Sequence, residues 1–120
     1  MARATISVHS LNDRNEFSDI TTLEVAVDST SRQAEFVMNE RDDKYLILVH
    51  NTATSASTVT VKAGNGIQGV ADLAHSVAAS SYATVSIDSG AYKNVSGDDK
   101  GKVIIEGSAT GVKIAVFKLP

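Results

Sequence analysis

Apolar and polar residues alternate along most of this chain, and that period of two constrains its fold more than any other feature. In the segment 57–63, "STVTVKA", Val59, Val61 and Ala63 fall on one face, and Thr and Lys residues fall on the other. Alternation of this kind is typical of β-strands that bury one face. The same pattern predicts strands over residues 4–9, 21–27, 34–38, 44–50, 57–63, 82–87, 102–107 and 111–119.

Short polar turns separate these strands, and the chain of 120 residues is long enough for one core only. The segment 44–50, "KYLILVH", is apolar on both faces and is expected in the middle of a sheet. We therefore predict a single all-β domain, an antiparallel β-sandwich or jelly roll. Residues 1–20 are expected to form an N-terminal strand followed by a polar arm or loop, and residues 21–120 the body of the sandwich.

Composition argues against several classes of function. The chain has no cysteine, which leaves packing rather than disulfides or thiolate metal sites to stabilise it. The net charge is −3 and the basic residues are scattered, so we expect no nucleic-acid partner. Neither a signal-peptide core nor a long apolar run occurs, so we expect no membrane partner and synthesis in the cytoplasm of the producing cell.

The glycines of "VKAGNGIQG", residues 61–69, have the spacing G-x-G-x-x-G that can hold a dinucleotide pyrophosphate. A dinucleotide site also needs a buried parallel strand before the glycines, but "STVTVKA" alternates and reads as half exposed. Residues 70–77 fit either a helix or a strand, and Asp88 fits the acidic position that follows. Most gaps between strands are too short for crossover helices. We therefore favour a structural role, in which the glycines provide positive φ angles or a bulge, and expect Gly66→Val to impair folding or assembly.

Other candidate sites lack a specific pattern. The three histidines, His9, His50 and His75, have no metal-ligand spacing, so no metal site is predicted. Two acidic pairs, Asp42–Asp43 and Asp98–Asp99, lack the calcium-loop motif. No G-x-S-x-G elbow accompanies the serines. We predict no catalytic residue and no cofactor.

The phrases "YLILVHN" (45–51), "VTVKAGNG" (59–66), "SGAYK" (89–93) and "KIAVFKLP" (113–120), with a "DL" strand between them, resemble a group of small tailed-phage virion proteins. The resemblance covers about residues 36–120. It implies a β-sandwich that decorates or cements a capsid, without chemistry of its own. It also implies that residues 71–77 are a strand.

The resulting hypothesis is a structural protein of a phage virion that binds the outside of the major capsid protein lattice and stabilises it. A homo-oligomer, with a trimer favoured, would match a symmetry axis of the lattice. The candidate partner-contact loop contains Gly64, Asn65, Gly66 and Gly69, and Tyr92 is a candidate exposed contact. The alternative is a binding module of a tail or host-attachment apparatus that recognises glycans through loops such as 88–101.

Overall fold

A computed structural model describes residues 2–21 and 23–120, which form two β-sheets packed face to face. The strands are β1 (Ala4–Thr5), β2 (Val8–Ser10), β3 (Val25–Ala26), β4 (Gln33–Val37), β5 (Tyr45–Asn51), β6 (Ser57–Val61), β7 (Leu73–Val77), β8 (Tyr82–Val85), β9 (Lys102–Gly107) and β10 (Val112–Lys118). Two single turns of helix interrupt the loops, a 3₁₀ turn at Asp42–Lys44 and α1 at Ser89–Tyr92.

Sheet I has the order β1-β4-β9-β6-β7, and sheet II has the order β2-β10-β5-β8, with β3 also paired to β10. The predicted all-β sandwich is confirmed. Its pairing is mixed rather than wholly antiparallel, because β1 runs parallel to β4 and β2 runs parallel to β10. The central position predicted for 44–50 is also found, since β5 lies between β10 and β8.

The N-terminal segment belongs to both sheets. The sequence predicts one strand over 4–9, but the chain leaves sheet I after Thr5 and joins sheet II at Val8. Ile6 lies at this crossing, is buried in the core, and donates its backbone N–H to the carbonyl of Glu35 at 2.8 Å. Residues 11–20 form a loop. Of the strand predicted over 21–27, the described residues contain only β3, and Thr22 lies outside the described residues.

The core lies between the two sheets and follows the alternation seen in the sequence. Residues at every second position of the central strands point inward and are almost completely buried, while their neighbours face outward. The inward-facing core residues of the four central strands are Tyr45, Ile47, Val49, Val59, Val61, Val103, Ile105, Val112, Ile114 and Val116.

Asn51, at the end of β5, is a fully buried polar residue that joins three parts of the sandwich. Its amide nitrogen donates to the carbonyls of Ser55 (2.9 Å), Val77 (3.1 Å) and Ala78 (3.2 Å). Its amide oxygen accepts from the backbone N–H of Ala53 (3.0 Å) and from the hydroxyl of Ser57 (3.3 Å). One side chain therefore fixes the β5–β6 turn to the end of β7, which belongs to the opposite sheet.

Replacing Asn51 by Ala is expected to lower the free energy of unfolding by about 2–4 kcal/mol, because buried donors and acceptors left without partners cost about 1–3 kcal/mol each. Urea unfolding followed by circular dichroism measures the loss. Thr58→Ala is the control, since Thr58 is exposed on β6, and its cost should stay below about 1 kcal/mol. Equal stability of the two variants would show that the Asn51 bonds do not hold the sheets together.

Candidate functional site

The glycine-rich segment connects β6 to β7 at one end of the sandwich, and Asp72 closes it at its base. One carboxylate oxygen of Asp72 accepts the backbone N–H of Ala63 at 2.7 Å, and the other accepts from Nζ of Lys62 at 2.8 Å. The hydrogen bond from Ala63, followed by the bond from Lys62, lowers the pKa of Asp72 below its ordinary value. Residues 63–72 therefore form a loop whose two ends are held together by hydrogen bonds.

Asn65 fixes the tip of this loop to a second loop of the same end. Its amide nitrogen donates to the carbonyl of Ser96 at 2.9 Å, and its amide oxygen accepts the backbone N–H of Val95 at 2.8 Å. The backbone N–H of Gly64 adds a bond to the carbonyl of Ala91 at 2.9 Å. The structure thus joins the predicted glycine loop to the predicted loop 88–101. We call the surface formed by residues 64–70 and 93–97 the loop platform.

The turn of helix that supports the platform is anchored by two carboxylates. Asp88 caps α1 by accepting the backbone N–H of Gly90 at 2.9 Å. Asp42 accepts the backbone N–H of Ser89 at 3.0 Å, and this bond lowers the pKa of Asp42. Asp88 and Asp42, the first residue of the first acidic pair, are therefore parts of the support for the platform.

Two of the loop glycines are required by close backbone contact. A Cβ on Gly69 would lie 1.9 Å from the carbonyl oxygen of Gly64, and one on Gly64 would lie 2.4 Å from the carbonyl oxygen of Lys93. Gly66 has room, because its Cβ would meet the methyl groups of Val95 at an ordinary 3.5 Å. The prediction of positive φ angles in this loop is wrong, since the glycines that adopt them are Gly97 and Gly101. The least tolerant position is therefore Gly69, not Gly66.

The platform presents apolar side chains to solvent. Ile67 is fully exposed, Val70 is 86% exposed and Val95 is half exposed. Sequence reasoning missed these residues because they lie outside the alternating strands. The available signal was Ile67 between Gly66 and Gly69, and Val70 directly after Gly69, in a loop that otherwise favours polar residues. Clustered exposed apolar residues mark sites of protein–protein contact more often than isolated ones do.

The prediction that Tyr92 is an exposed contact is wrong. Tyr92 ends α1, is only partly exposed and packs against the core. Two residues further on, Asn94 donates its backbone N–H to the carbonyl of Lys102 at 3.0 Å. Tyr92 therefore contributes to the packing of the sandwich.

The glycine motif has neither of the flanking elements that a dinucleotide site uses. The residues after the glycines form β7, a strand, and β7 pairs antiparallel with the strand that precedes the glycines. The glycines are therefore not followed by a helix whose N-terminus could hold a pyrophosphate, and Asp88 serves as the N-cap of α1. The implied strand over residues 71–77 is found as β7.

The three histidines lie on three different strands, and Asp99 of the second acidic pair forms an ion pair. His9 lies on β2, His50 on β5 and His75 on β7. Nδ1 of His50 lies 2.9 Å from Glu24, and Asp99 pairs with Arg3 at 2.9 Å, which lowers the pKa of Asp99. In the part of the chain that the structure describes, no three His, Asp or Glu side chains are grouped as metal ligands.

Comparisons of the chain with models of protein families, with curated proteins and with solved structures found no match. The sequence resemblance and the surfaces of the sandwich are therefore the basis for a proposed function. Within residues 2–21 and 23–120, no helix is long and apolar enough to cross a membrane.

Substitutions of the loop glycines test which positions need glycine because another part of the backbone packs closely against them. Gly69→Ala should lower the free energy of unfolding by about 1–3 kcal/mol, because the new methyl group overlaps the backbone at Gly64. Gly66→Ala should be neutral or stabilise by up to about 1 kcal/mol, since its space is free and the unfolded chain loses entropy. Thermal unfolding of both variants compares them directly. A Gly66 variant less stable than the Gly69 variant would contradict the described packing.

Proposed function

We propose that this protein is a non-enzymatic structural protein of a tailed-phage virion that binds the outside of the capsid lattice and stabilises it. Two independent features support the proposal. One is the resemblance of residues 36–120 to small phage virion proteins of this kind. The other is the loop platform, a surface at one end of a β-sandwich that is suited to contact with another protein.

The exposed apolar side chains of the platform carry the proposal. Ile67 and Val70 lie in solvent although their loop is held by hydrogen bonds at its base and at its tip. Because the backbone is already fixed, docking would order little additional chain, and the free energy of burying these side chains would contribute to affinity. A cement protein benefits from such a surface, since it must bind many equivalent sites on a rigid shell.

In the proposed arrangement the platform faces the shell and the other end of the sandwich faces solvent. β7 begins beside Val61 at the platform end and finishes beside Ser57 at the far end. The loops at that far end, including residues 28–32 and 78–81, therefore point away from the platform. The protein would stand on the lattice by one end, with the major capsid protein as its partner and a trimer as the favoured assembly on a symmetry axis.

A tail or host-attachment module that binds glycans is the second candidate, and one observation favours it. The ring of Tyr82 is 60% exposed and stacks on His50, with ring centroids 3.9 Å apart and planes 14° apart. Beside Tyr82 lies a shallow pocket on the outer face of sheet II, which is also lined by Glu24 and Thr21. Exposed rings next to polar groups are suited to sugars, because sugar rings stack on aromatic faces while their hydroxyls form hydrogen bonds.

Binding to capsids assembled without the protein tests the proposal. The wild-type protein is expected to bind to saturation with a fixed ratio to the capsid protein. Ile67→Asp should weaken binding at least about tenfold, because a carboxylate would have to be desolvated in the contact. Ala79→Asp is the matched control, since it places the same charge at the far end and should bind like wild type.

Two results would count against the decoration role. Absence of saturable binding to capsids would rule out the decoration role. Equal binding by the Ile67→Asp and Ala79→Asp variants would show that the platform is not the contact surface. Retention of the protein on a glycan array, lost in Tyr82→Ala, would favour the host-attachment alternative.

A further inference from the structure

The outer face of sheet II is partly covered by the segment that connects β2 to β3. Ala115 and Phe117 of β10 point away from the core, because they alternate with core residues, yet both are almost completely buried. Ile20 and Thr21 of the connecting segment line a pocket of about 520 Å³ together with these two residues. This volume lies within the range of about 300–1,000 Å³ that is typical of ligand-binding pockets.

The pocket combines an apolar floor with a polar edge. The floor includes Leu48 of β5 and Phe117 of β10, which both belong to the outer face of the sheet. The edge carries the hydroxyl of Thr21, the carboxylate of Glu24 and the phenol of Tyr82. A ligand with an apolar face and hydroxyl groups around its ring matches this arrangement.

His50 holds the two most polar parts of the edge in place. Its Nδ1 lies 2.9 Å from Oε2 of Glu24, and since an ionised carboxylate only accepts hydrogen bonds, Nδ1 carries the proton. Its ring stacks on that of Tyr82, with centroids 3.9 Å apart. His50 is therefore a positioning residue, and the groups that would contact a ligand are ordered before it binds.

Both Tyr82 and Glu24 keep free capacity for a ligand. One face of the Tyr82 ring is covered by His50, but the side chain is still 60% exposed, so the opposite face is open to solvent. A carboxylate accepts about four hydrogen bonds, which leaves acceptor sites on Glu24 besides the bond from His50. Sugar rings use both kinds of contact, because their C–H groups stack on aromatic faces and their hydroxyls donate hydrogen bonds.

We propose that this pocket binds a neutral sugar ring, which stacks on Tyr82 and donates hydroxyl hydrogen bonds to Glu24. Among the described residues that line the pocket, Glu24 is the only one of the Asp, Glu, Lys and Arg types. An acidic sugar would bring a second carboxylate beside it, and such like-charge contacts are unfavourable. The inference assigns a class of sugar to the glycan-binding candidate and does not depend on where the protein lies in the virion.

The sugar pocket and the loop platform are separate surfaces. Tyr82 directly follows residues 78–81, which lie at the end of the sandwich opposite the platform. One copy can therefore bind a capsid by the platform and a sugar by the pocket at the same time. In the proposed capsid arrangement, the Tyr82 end faces the surroundings of the particle.

Titration of the purified protein with methyl glycosides of glucose, galactose, mannose and N-acetylglucosamine tests the pocket. Backbone amide chemical shifts measured by NMR are expected to change saturably at Leu48, Tyr82 and Ala115 with at least one of these sugars. Tyr82→Ala should raise its dissociation constant at least about tenfold, and Tyr82→Phe, which keeps the ring, less than about threefold. Thr84→Ala is the matched control, since Thr84 is exposed on the same strand outside the pocket.

Absence of saturable shifts with all four glycosides, or equal binding by the Tyr82→Ala variant, overturns the proposal. Neither result bears on capsid binding, because no capsid is present in the experiment.

Glucuronic acid tests the preference for neutral sugars. The wild type is expected to bind it at least about tenfold more weakly than the best neutral glycoside. Glu24→Gln removes the charge and keeps a side chain that forms hydrogen bonds, so it should reduce this difference to less than about threefold. Equal binding of glucuronic acid and the neutral glycoside by the wild type, or an unchanged difference in Glu24→Gln, would contradict the assigned role of Glu24.

Discussion

The antiparallel pairing of β5 with β10 is the interaction on which the rest of the structure depends. The two strands pair along seven residues, from Val112 beside Asn51 to Lys118 beside Tyr45. Their inner side chains form the middle of the core against sheet I. β8 extends the sheet on one side, and β2 and β3 extend it on the other. In a chain without disulfides, this apolar interface between two sheets is the frame to which the loops are attached.

The loops at the platform end are shaped by a few polar side chains that act on this fixed frame. Asp72 closes the glycine loop, Asn65 connects its tip to residues 95–96, and Asp42 holds α1. Each satisfies backbone groups that the turns leave unpaired. The exposed apolar residues Ile67 and Val70 therefore stand on a defined backbone. This combination supports the proposed role in assembly, because a surface that is already ordered loses little entropy on binding.

Much of the fold follows from the period-two pattern, because burial of one sheet face requires that pattern. The segments that became β5, β6, β9 and β10 were predicted within a few residues. The pattern does not indicate which sheet a strand joins, so the switch of the N-terminal segment at Ile6 was missed. It also says nothing about loops, whose shape depends on distant partners: the need for glycine at 64 and 69 arises from Lys93 and from the loop itself. Tyr92 was placed at the surface for the same reason.

We propose that the sandwich binds a capsid through the loop platform. A reconstruction of the phage particle at side-chain resolution tests it most directly, because it shows location, symmetry and orientation together. We expect copies of the sandwich on the outside of the head, with residues 64–70 and 93–97 against the major capsid protein. Copies found on the tail alone, or copies on the head with the platform facing solvent, would contradict it.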